Sequence, residues 1–167
     1  DLNNDTILKK IKTTKISIRG ELIMKQSLFK EKYSATYPKC RSLVSGNINA
    51  KKPNTNIIRD MDFIGYEVIL DEKKNSEDNS KIINNISIEK QFKLIKKLNF
   101  KCVNYKILRE ELSSELLTKE FLDMKSYSEY EIDGIIISNN EINIRNKIGN
   151  PKYAVAFKTK LDDQLAT

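Results

Sequence analysis

The 167-residue sequence predicts an α+β domain in which mostly antiparallel sheets are flanked by helices. The first observation is the segment Lys15–Met24, where apolar and polar residues alternate with the period of two that is typical of a half-buried strand. The second is a pair of amphipathic helical patterns that begin at Ser87 and Ser113. The third is a pair of β-branched or apolar runs, Ile132–Ile137 and Ala154–Phe157, which are bounded by turn formers and predict two buried strands.

Four further segments make up the first half of the chain. Residues 1–15 are polar and lysine-rich, and they indicate no more than a short helix or an edge segment. Residues 25–34 predict a short amphipathic helix, whereas Cys40–Asn54 is rich in turn formers and basic residues and predicts a loop. Asp60–Leu70 predicts a strand that carries aromatic side chains, among them Tyr66.

The second half begins with a charged, asparagine-rich surface loop over residues 71–86. The helix that follows has apolar residues on one face and lysines on the other. Residues 99–108 then predict a strand, and residues 113–127 predict a second amphipathic helix whose apolar stripe faces the core. The side chains of the strand that are expected in the core are Phe100, Val103 and Ile107.

Charge and composition indicate an anionic partner. Lys and Arg number 30 against 23 Asp and Glu, which gives a net charge of +7, and nucleic acid is the commonest anionic partner of a basic domain. Asn, Ile and Lys are abundant throughout, as A+T-rich coding would produce, so part of this charge reflects composition alone. The sequence contains no apolar run of membrane-spanning length and no signal-peptide pattern, and no membrane partner is expected.

Cysteine and histidine usage argues against several kinds of site within this segment. Cys40 and Cys102 are far apart with no CxxC spacing, and the sequence contains no histidine. Zinc sites and His-based acid–base or triad chemistry are therefore poorly supported. Both cysteines are expected to be small buried side chains in a reducing compartment.

Polar residues at the ends of the last two predicted strands indicate a ligand site. Asp133-Gly134 places a carboxylate beside a residue without a Cβ atom, where a ligand can approach the backbone closely. Lys158 directly follows the run Ala154–Phe157. A carboxylate, a glycine and a lysine on neighbouring strands suit a polyphosphate and its metal ion. The same residues are equally compatible with a twisted sheet that carries a surface lysine and a turn glycine.

These segments resemble the motifs of a known family. DGIIIS (133–138) and NPKYAVAFK (150–158) resemble the last two nucleotidyltransferase motifs of NAD-dependent DNA ligases, which have the approximate form DGVVIK and PRWAVAFKF. Arg-Gly-Glu at 19–21 resembles the family strand EVRGEV. Residues 41–46 are in partial register with the family loop NPRNAAAG, and Tyr66 fits an aromatic-containing strand. The four motifs occur in the family's order and cover nearly the whole chain.

The resemblance implies a nucleotide-binding role for six residues. By this resemblance, Glu21 contacts the ribose of the bound adenylate, since an ionised carboxylate accepts hydrogen bonds from ribose hydroxyls. Arg41 would contact phosphate or the DNA backbone, and Tyr66 would stack on the adenine ring. The last two motifs contribute the remaining three residues, Asp133, Gly134 and Lys158.

The resemblance also implies the fold and the reaction. Residues 1–167 would be most of an adenylation domain with a nucleotidyltransferase (ATP-grasp-like ligase) fold, ending near the junction to an OB-fold domain. A family lysine attacks NAD, and the AMP then moves to the 5′-phosphate of nicked double-stranded DNA before the strands join. The expected cofactors are NAD and Mg²⁺, and the protein is expected to act as a monomer in DNA repair or replication. The protein is expected to be located in a bacterial cytoplasm or in a virus-infected host cell.

Two departures from the family pattern concern the chemistry. The nucleophilic lysine of the family lies in a KxDG motif, which this sequence lacks, so we expect that lysine upstream of Asp1 or a broken gene. The segment alone is then expected to fold marginally and not to adenylate itself. Ser138 stands where the family usually has a lysine, and this loss is expected to weaken contact to the nucleotide phosphate unless a nearby lysine such as Lys160 compensates. No metal ligand follows from the sequence.

Two other functions remain open at the level of sequence. The first is an ATP-dependent nucleic-acid ligase or a capping-type nucleotidyltransferase, which would share the fold. The second is a non-catalytic nucleic-acid-binding remnant, which the charge of +7 and the missing KxDG motif favour. Nucleotide preference separates the first from an NAD-dependent ligase, and salt-dependent DNA binding without nucleotide binding would identify the second.

Overall fold

The computed structural model describes residues 15–71, 86–143 and 149–159. The described strands form two separate two-stranded sheets, β1–β2 and β3–β4, and both are antiparallel. The α+β class is therefore confirmed. In chain order the elements are β1 (Lys15–Ile23), α1 (Gln26–Lys32), α2 (Cys40–Ile48), α3 (Thr55–Arg59), β2 (Asp62–Asp71), α4 (Ile88–Lys97), α5 (Ser114–Tyr127), β3 (Ile135–Ser138) and β4 (Ala154–Phe157).

The chain divides into two compact units, which we call the first and the second unit. The predictions for residues 1–14 and for the loop residues 72–85 lie outside the described residues. The first unit contains the described parts of residues 1–21, 63–104 and 138–153, and the second contains those of 22–62, 105–137 and 154–167.

In the first unit, helix α4 packs against the sheet of β1 and β2. The alternation predicted for β1 is confirmed, because Ile16 and Ile18 are half-buried while Ser17 and Arg19 are exposed. The helix contributes its apolar face, as its pattern predicted. The buried core of this unit consists of Val68, Leu70, Leu94 and Ile95.

The strand predicted for residues 99–108 is wrong. The segment touches β2 through a single parallel bridge between Gly65 and Cys102. There the Gly65 N–H donates to the Lys101 carbonyl oxygen at 2.8 Å, and no longer ladder follows. Phe100 and Ile107 are 47% and 41% exposed rather than buried in a core. Alternating apolar residues show strand propensity, but they do not show whether a partner strand is available.

In the second unit, helices α1, α2 and α3 surround one apolar cluster. The helix predicted for residues 25–34 is confirmed as α1. The loop predicted for Cys40–Asn54 is wrong over its first part, because Cys40–Ile48 forms helix α2, whereas residues 49–54 are not helical. Its buried side chains recur at the spacing of one helix face, which outweighs the low helix propensity of its Gly, Ser and Asn residues. The core of this cluster consists of Met24, Phe29, Cys40, Leu43, Val44 and Ile57.

The last two strands are found where the sequence predicts them, but they are not buried. β4 has the predicted bounds, and β3 begins three residues later than predicted. Ile136 and Val155 are 70% and 62% exposed, while Ile135 and Phe157 are half-buried. β-Branched residues favour strands whether or not the strand is covered, so their presence did not establish burial.

Helix α5 confirms the second amphipathic helix. Its Phe121 and Glu120 are buried, and Lys106 holds the Glu120 carboxylate in an ion pair. The helix begins with Ser113 as its N-cap, whose side chain accepts a hydrogen bond from the Leu116 N–H. Among the helices of the described ranges, none is long and apolar enough to cross a bilayer.

Candidate functional site

Two of the six predicted site residues lie on the sheet of the first unit. Glu21 is on β1 and Tyr66 is on the neighbouring strand β2, and both side chains are exposed. Tyr66 is 42% exposed, so its ring is accessible to a stacking partner. The Arg19 Nη1 atom lies 3.1 Å from the Glu67 Oε2 atom, and this ion pair links the same two strands. Arg19 is thus engaged in an ion pair between the two strands.

The remaining four predicted residues lie in the second unit. The Lys158 ammonium group donates a hydrogen bond of 2.8 Å to the Asp133 Oδ2 atom. This hydrogen bond is the main reason that the pKa of Asp133 is lowered, and the positive charge of Arg41 lowers it further. The structure therefore places the Asp133 carboxylate in a hydrogen bond with Lys158 and within electrostatic range of Arg41. We call these three side chains the charged cluster.

The charged cluster is accessible to solvent. The side chains of Lys158 and Asp133 are 61% and 70% exposed, and Arg41 is exposed as well. An exposed ion pair contributes only about 0–1 kcal/mol to stability, because water screens the two charges. The pair is therefore poorly explained as a stabilising contact, and Lys158 can exchange Asp133 for another anion at little cost.

Gly134, just before β3, allows the chain there to approach the end of β4 closely. A Cβ atom at this position would lie 2.6 Å from the Phe157 carbonyl oxygen and 2.8 Å from the Lys158 Cγ atom. In the structure this close approach is made by the neighbouring strand segment, and approach by a ligand stays a prediction. As a consequence of this contact, Asp133, the residue directly before Gly134, lies beside Lys158.

Helix α2 positions Arg41. Cys40, the preceding residue, is buried, and its thiol lies 3.6 Å from the Met24 carbonyl oxygen that accepts its weak hydrogen bond. Burial is the main reason that the pKa of this thiol is raised, so Cys40 acts as a small core side chain. With Leu43 and Val44 also buried, the helix is fixed and Arg41 points away from the core. Ser42 and Asn49 are both exposed.

Sequence reasoning missed the contacts that hold the segment before Asp133. The backbone N–H of Gln26 donates to the Glu129 carbonyl oxygen at 2.9 Å, and the Gln26 side chain donates to Glu131 at 3.0 Å. The Tyr130 hydroxyl donates to the Asp62 Oδ2 atom at 2.7 Å. These partners are about 70 to 100 residues away in sequence, so no local pattern could reveal them.

The described ranges contain no group of three or more His, Cys, Asp or Glu side chains that could hold a metal ion by itself. Asp133 is the carboxylate that stands within the charged cluster. Its lowered pKa keeps it ionised, which is the form that binds a cation.

Comparison with known proteins agrees with the motifs. Residues 4–161 match the family model of the NAD-dependent DNA ligase adenylation domain. The DNA ligase of Acanthamoeba polyphaga mimivirus is 37% identical over 145 residues, which are 86% of this chain and 20% of that protein. The putative DNA ligase 205R of Invertebrate iridescent virus 6 is 35% identical over 150 residues, 89% of this chain and 23% of that protein.

A bacterial relative shows the same relation. The DNA ligase of Natranaerobius thermophilus is 27% identical over 164 residues, covering 90% of this chain and 23% of that protein. The chain thus spans between a fifth and a quarter of the length of these relatives. No solved structure gives a significant match.

Proposed function

The chain belongs to the NAD-dependent DNA ligase adenylation domain family, and from this premise we propose that it binds the adenylate of NAD and passes AMP to the 5′-phosphate of nicked DNA. The observation that most directly supports this proposal is the charged cluster. The Asp133 carboxylate is paired with Lys158 and lies within electrostatic range of Arg41 at a solvent-accessible position, where one family motif begins and another ends. Such a group suits a phosphate and the charge that develops during its transfer.

Each member of the cluster has a distinct proposed role. Lys158 turns from Asp133 to a phosphate oxygen, because the exposed pair costs little to open. Arg41 presents its planar guanidinium group to phosphate or to the DNA backbone. Asp133 holds Lys158 in place through their hydrogen bond before the nucleotide arrives.

The residues of the first unit have the chemistry for the nucleoside. The exposed carboxylate of Glu21 can accept hydrogen bonds from ribose hydroxyls, and the exposed ring of Tyr66 can stack on adenine. Stacking of this kind contributes about 1–3 kcal/mol per base. We propose these roles for the nucleotidyltransferase fold that the family match favours.

The donor set fits Mg²⁺ as a partner of the bound phosphates. Mg²⁺ is usually held by one or two carboxylates together with substrate phosphates, and the ionised Asp133 side chain meets the first requirement. When bound, the ion would neutralise phosphate charge. Asp133 would then exchange Lys158 for the metal, which leaves the lysine available to the phosphate.

The covalent step needs a lysine in a KxDG motif, which these residues lack. We therefore propose that this segment alone does not attach AMP to itself. Ser138, exposed at the end of β3, removes a cation that the family motif usually supplies, and Lys158 is left to contact the phosphate.

The experiment that tests the proposal is intact-mass measurement of the complete product of this gene, incubated with Mg²⁺ and either NAD or ATP. We expect an AMP adduct with NAD only. Lys158→Ala should lower the rate of adduct formation by about 10- to 100-fold, as expected when a charge-assisted hydrogen bond is lost. Lys30→Ala removes the same charge from the exposed face of α1 and serves as the control, with an unchanged rate.

Two outcomes would overturn the proposal. An adduct with ATP and none with NAD would assign the protein to the ATP-dependent ligases or capping-type enzymes. No adduct with either nucleotide, together with DNA binding that weakens as salt is raised, would identify a non-catalytic nucleic-acid-binding module.

A further inference from the structure

The segment directly before the Asp133-Gly134 motif is held by contacts from two distant parts of the second unit. Gln26, at the start of α1, binds the segment through hydrogen bonds from both its backbone N–H and its side chain. Lys25 adds an ion pair with Glu129. From the other side, the Tyr130 hydroxyl reaches Asp62, the first residue of β2.

The contact between Tyr130 and Asp62 differs from the others in burial. Glu129 and Glu131 are exposed, so the contacts they make with Lys25 and Gln26 are open to competing water. Tyr130 and Asp62 are both half-buried, and their hydrogen bond joins a neutral donor to a charged acceptor. Hydrogen bonds of this type are stronger than those between neutral groups. Burial and the Asp62 carboxylate also raise the pKa of Tyr130, which keeps the donor proton in place.

We propose that Tyr130 is a positioning residue for the charged cluster. Through its hydrogen bond to Asp62 it fixes the segment that leads into Asp133, and so fixes where the Asp133–Lys158 pair stands. The inference rests on the proposed function, since it assumes that this pair contacts the nucleotide. Tyr130 itself is not placed in contact with nucleotide, and its role is exerted through Glu131 and Ile132, the two residues that connect it to Asp133.

The protein contains a matched control for this proposal. The Tyr33 hydroxyl donates to the Asp60 Oδ2 atom, also at 2.7 Å and also half-buried, within the same unit. This second pair connects the end of α1 to the residue that follows α3, and it does not adjoin the segment before Asp133. Tyr33→Phe and Tyr130→Phe therefore remove the same chemical group from the same kind of hydrogen bond.

The test measures two quantities on the complete gene product: the dissociation constant of NAD without Mg²⁺, so that no transfer occurs, and the melting temperature. We expect both tyrosine variants to lower the melting temperature by similar amounts. Only Tyr130→Phe should weaken NAD binding, by about 3- to 10-fold. Asp62→Asn keeps an oxygen that can accept the Tyr130 proton, so its NAD binding should lie between wild type and Tyr130→Phe.

A further variant separates this inference from the proposed function. Lys158→Ala removes the phosphate-binding cation directly and should weaken NAD binding more than Tyr130→Phe does. If Lys158→Ala weakens binding while Tyr130→Phe and Tyr33→Phe behave alike, Tyr130 is merely structural and the inference is overturned while the proposed function stands. If the wild-type protein does not bind NAD, or if Lys158→Ala has no effect, the proposed function itself is overturned.

Discussion

Gly134 shows how a single residue shapes the candidate site. The space that its missing Cβ leaves is filled by the Phe157 carbonyl group and by the Lys158 side chain. A larger residue would push the two chain segments apart, because the nearest atom belongs to backbone and cannot rotate away. The same displacement would separate Asp133 from Lys158.

Gly134→Ala is therefore expected to destabilise the protein by about 1–3 kcal/mol, the usual cost of overpacking a close contact. Gly46→Ala is the matched control, since Gly46 lies in helix α2 with nothing within 4 Å of an added Cβ. Alanine favours a helix over glycine, so that variant should gain about 0.5–1 kcal/mol. Urea unfolding of both variants measures the difference, and equal changes in the two would contradict the close approach at Gly134.

The pair of Tyr33 and Asp60 gives a prediction about pH. The hydrogen bond to Asp60 is the main reason that the pKa of Tyr33 is raised to about 12, and the same bond is the main reason that the pKa of Asp60 is lowered. A raised tyrosine pKa stabilises the folded state fully below the unfolded value of 10.0, and this stabilisation is lost as the pH rises from there to about 12. A lowered aspartate pKa stabilises the folded state above the unfolded value of 3.8 and is lost as the pH falls below it.

Tyr33→Phe should consequently reduce the dependence of stability on pH at both ends. Its free energy of unfolding should fall less steeply than that of wild type above pH 10 and also below pH 3.8. Denaturant unfolding across the pH range tests this. An unchanged acid limb would mean that Lys32, the other hydrogen-bond donor to Asp60, is sufficient to hold its carboxylate ionised.

At the scale of elements, periodicity predicted well wherever an apolar face was long and uninterrupted. β1, β2, α4 and α5 are found near their predicted positions for this reason. Helix α2 was missed because Ser, Gly and Asn residues interrupt its sequence and are individually typical of turns. Its identity depends on tertiary packing, which selects the helix face that carries Cys40, Leu43 and Val44.

Asn47 explains how the polar content of α2 is accommodated. The side chain is 9% exposed, and its Nδ2 atom donates to the Asn54 carbonyl oxygen at 3.3 Å. Its Oδ1 atom accepts from the Asn54 N–H at 2.8 Å. One buried amide thus satisfies both backbone groups of the residue that caps α3.

Asn47→Ala should destabilise the protein by about 1–3 kcal/mol, because it leaves the Asn54 N–H without its partner. The Asn54 carbonyl oxygen would still accept from the Ile58 N–H. Asn49→Ala is the control, since Asn49 is exposed and hydrogen-bonds only within the last turn of its own helix. A surface change of that kind alters stability by no more than about 0.5 kcal/mol. Thermal unfolding of the two variants measures the contrast, and a mild effect of Asn47→Ala would show that water replaces its hydrogen bonds.

At the scale of the whole molecule, the order of the motifs was the informative feature of the sequence. It predicted the family, and within the second unit it selected three residues that the structure gathers into the charged cluster. The hydrogen bond that holds the segment before Asp133 could not be predicted, because Tyr130 and Asp62 are 68 positions apart and belong to no local pattern. The exposure of Ile136 and Val155 was unpredictable for a related reason, since strand propensity does not reveal what covers a strand.

The net charge of +7 gives the last prediction, which concerns the proposed DNA partner. Each phosphate that a cation neutralises adds about 0.9 to the slope of log affinity against log salt, because condensed counterions are released. Arg41→Ala should therefore weaken binding to a nicked duplex and reduce that slope by about 1. Arg109→Ala, which removes an equal charge from another exposed position of the second unit, should leave the slope nearly unchanged. Binding isotherms over a series of salt concentrations measure both slopes. If the two variants lower affinity and slope equally, net charge alone attracts the DNA, and Arg41 makes no phosphate contact of its own.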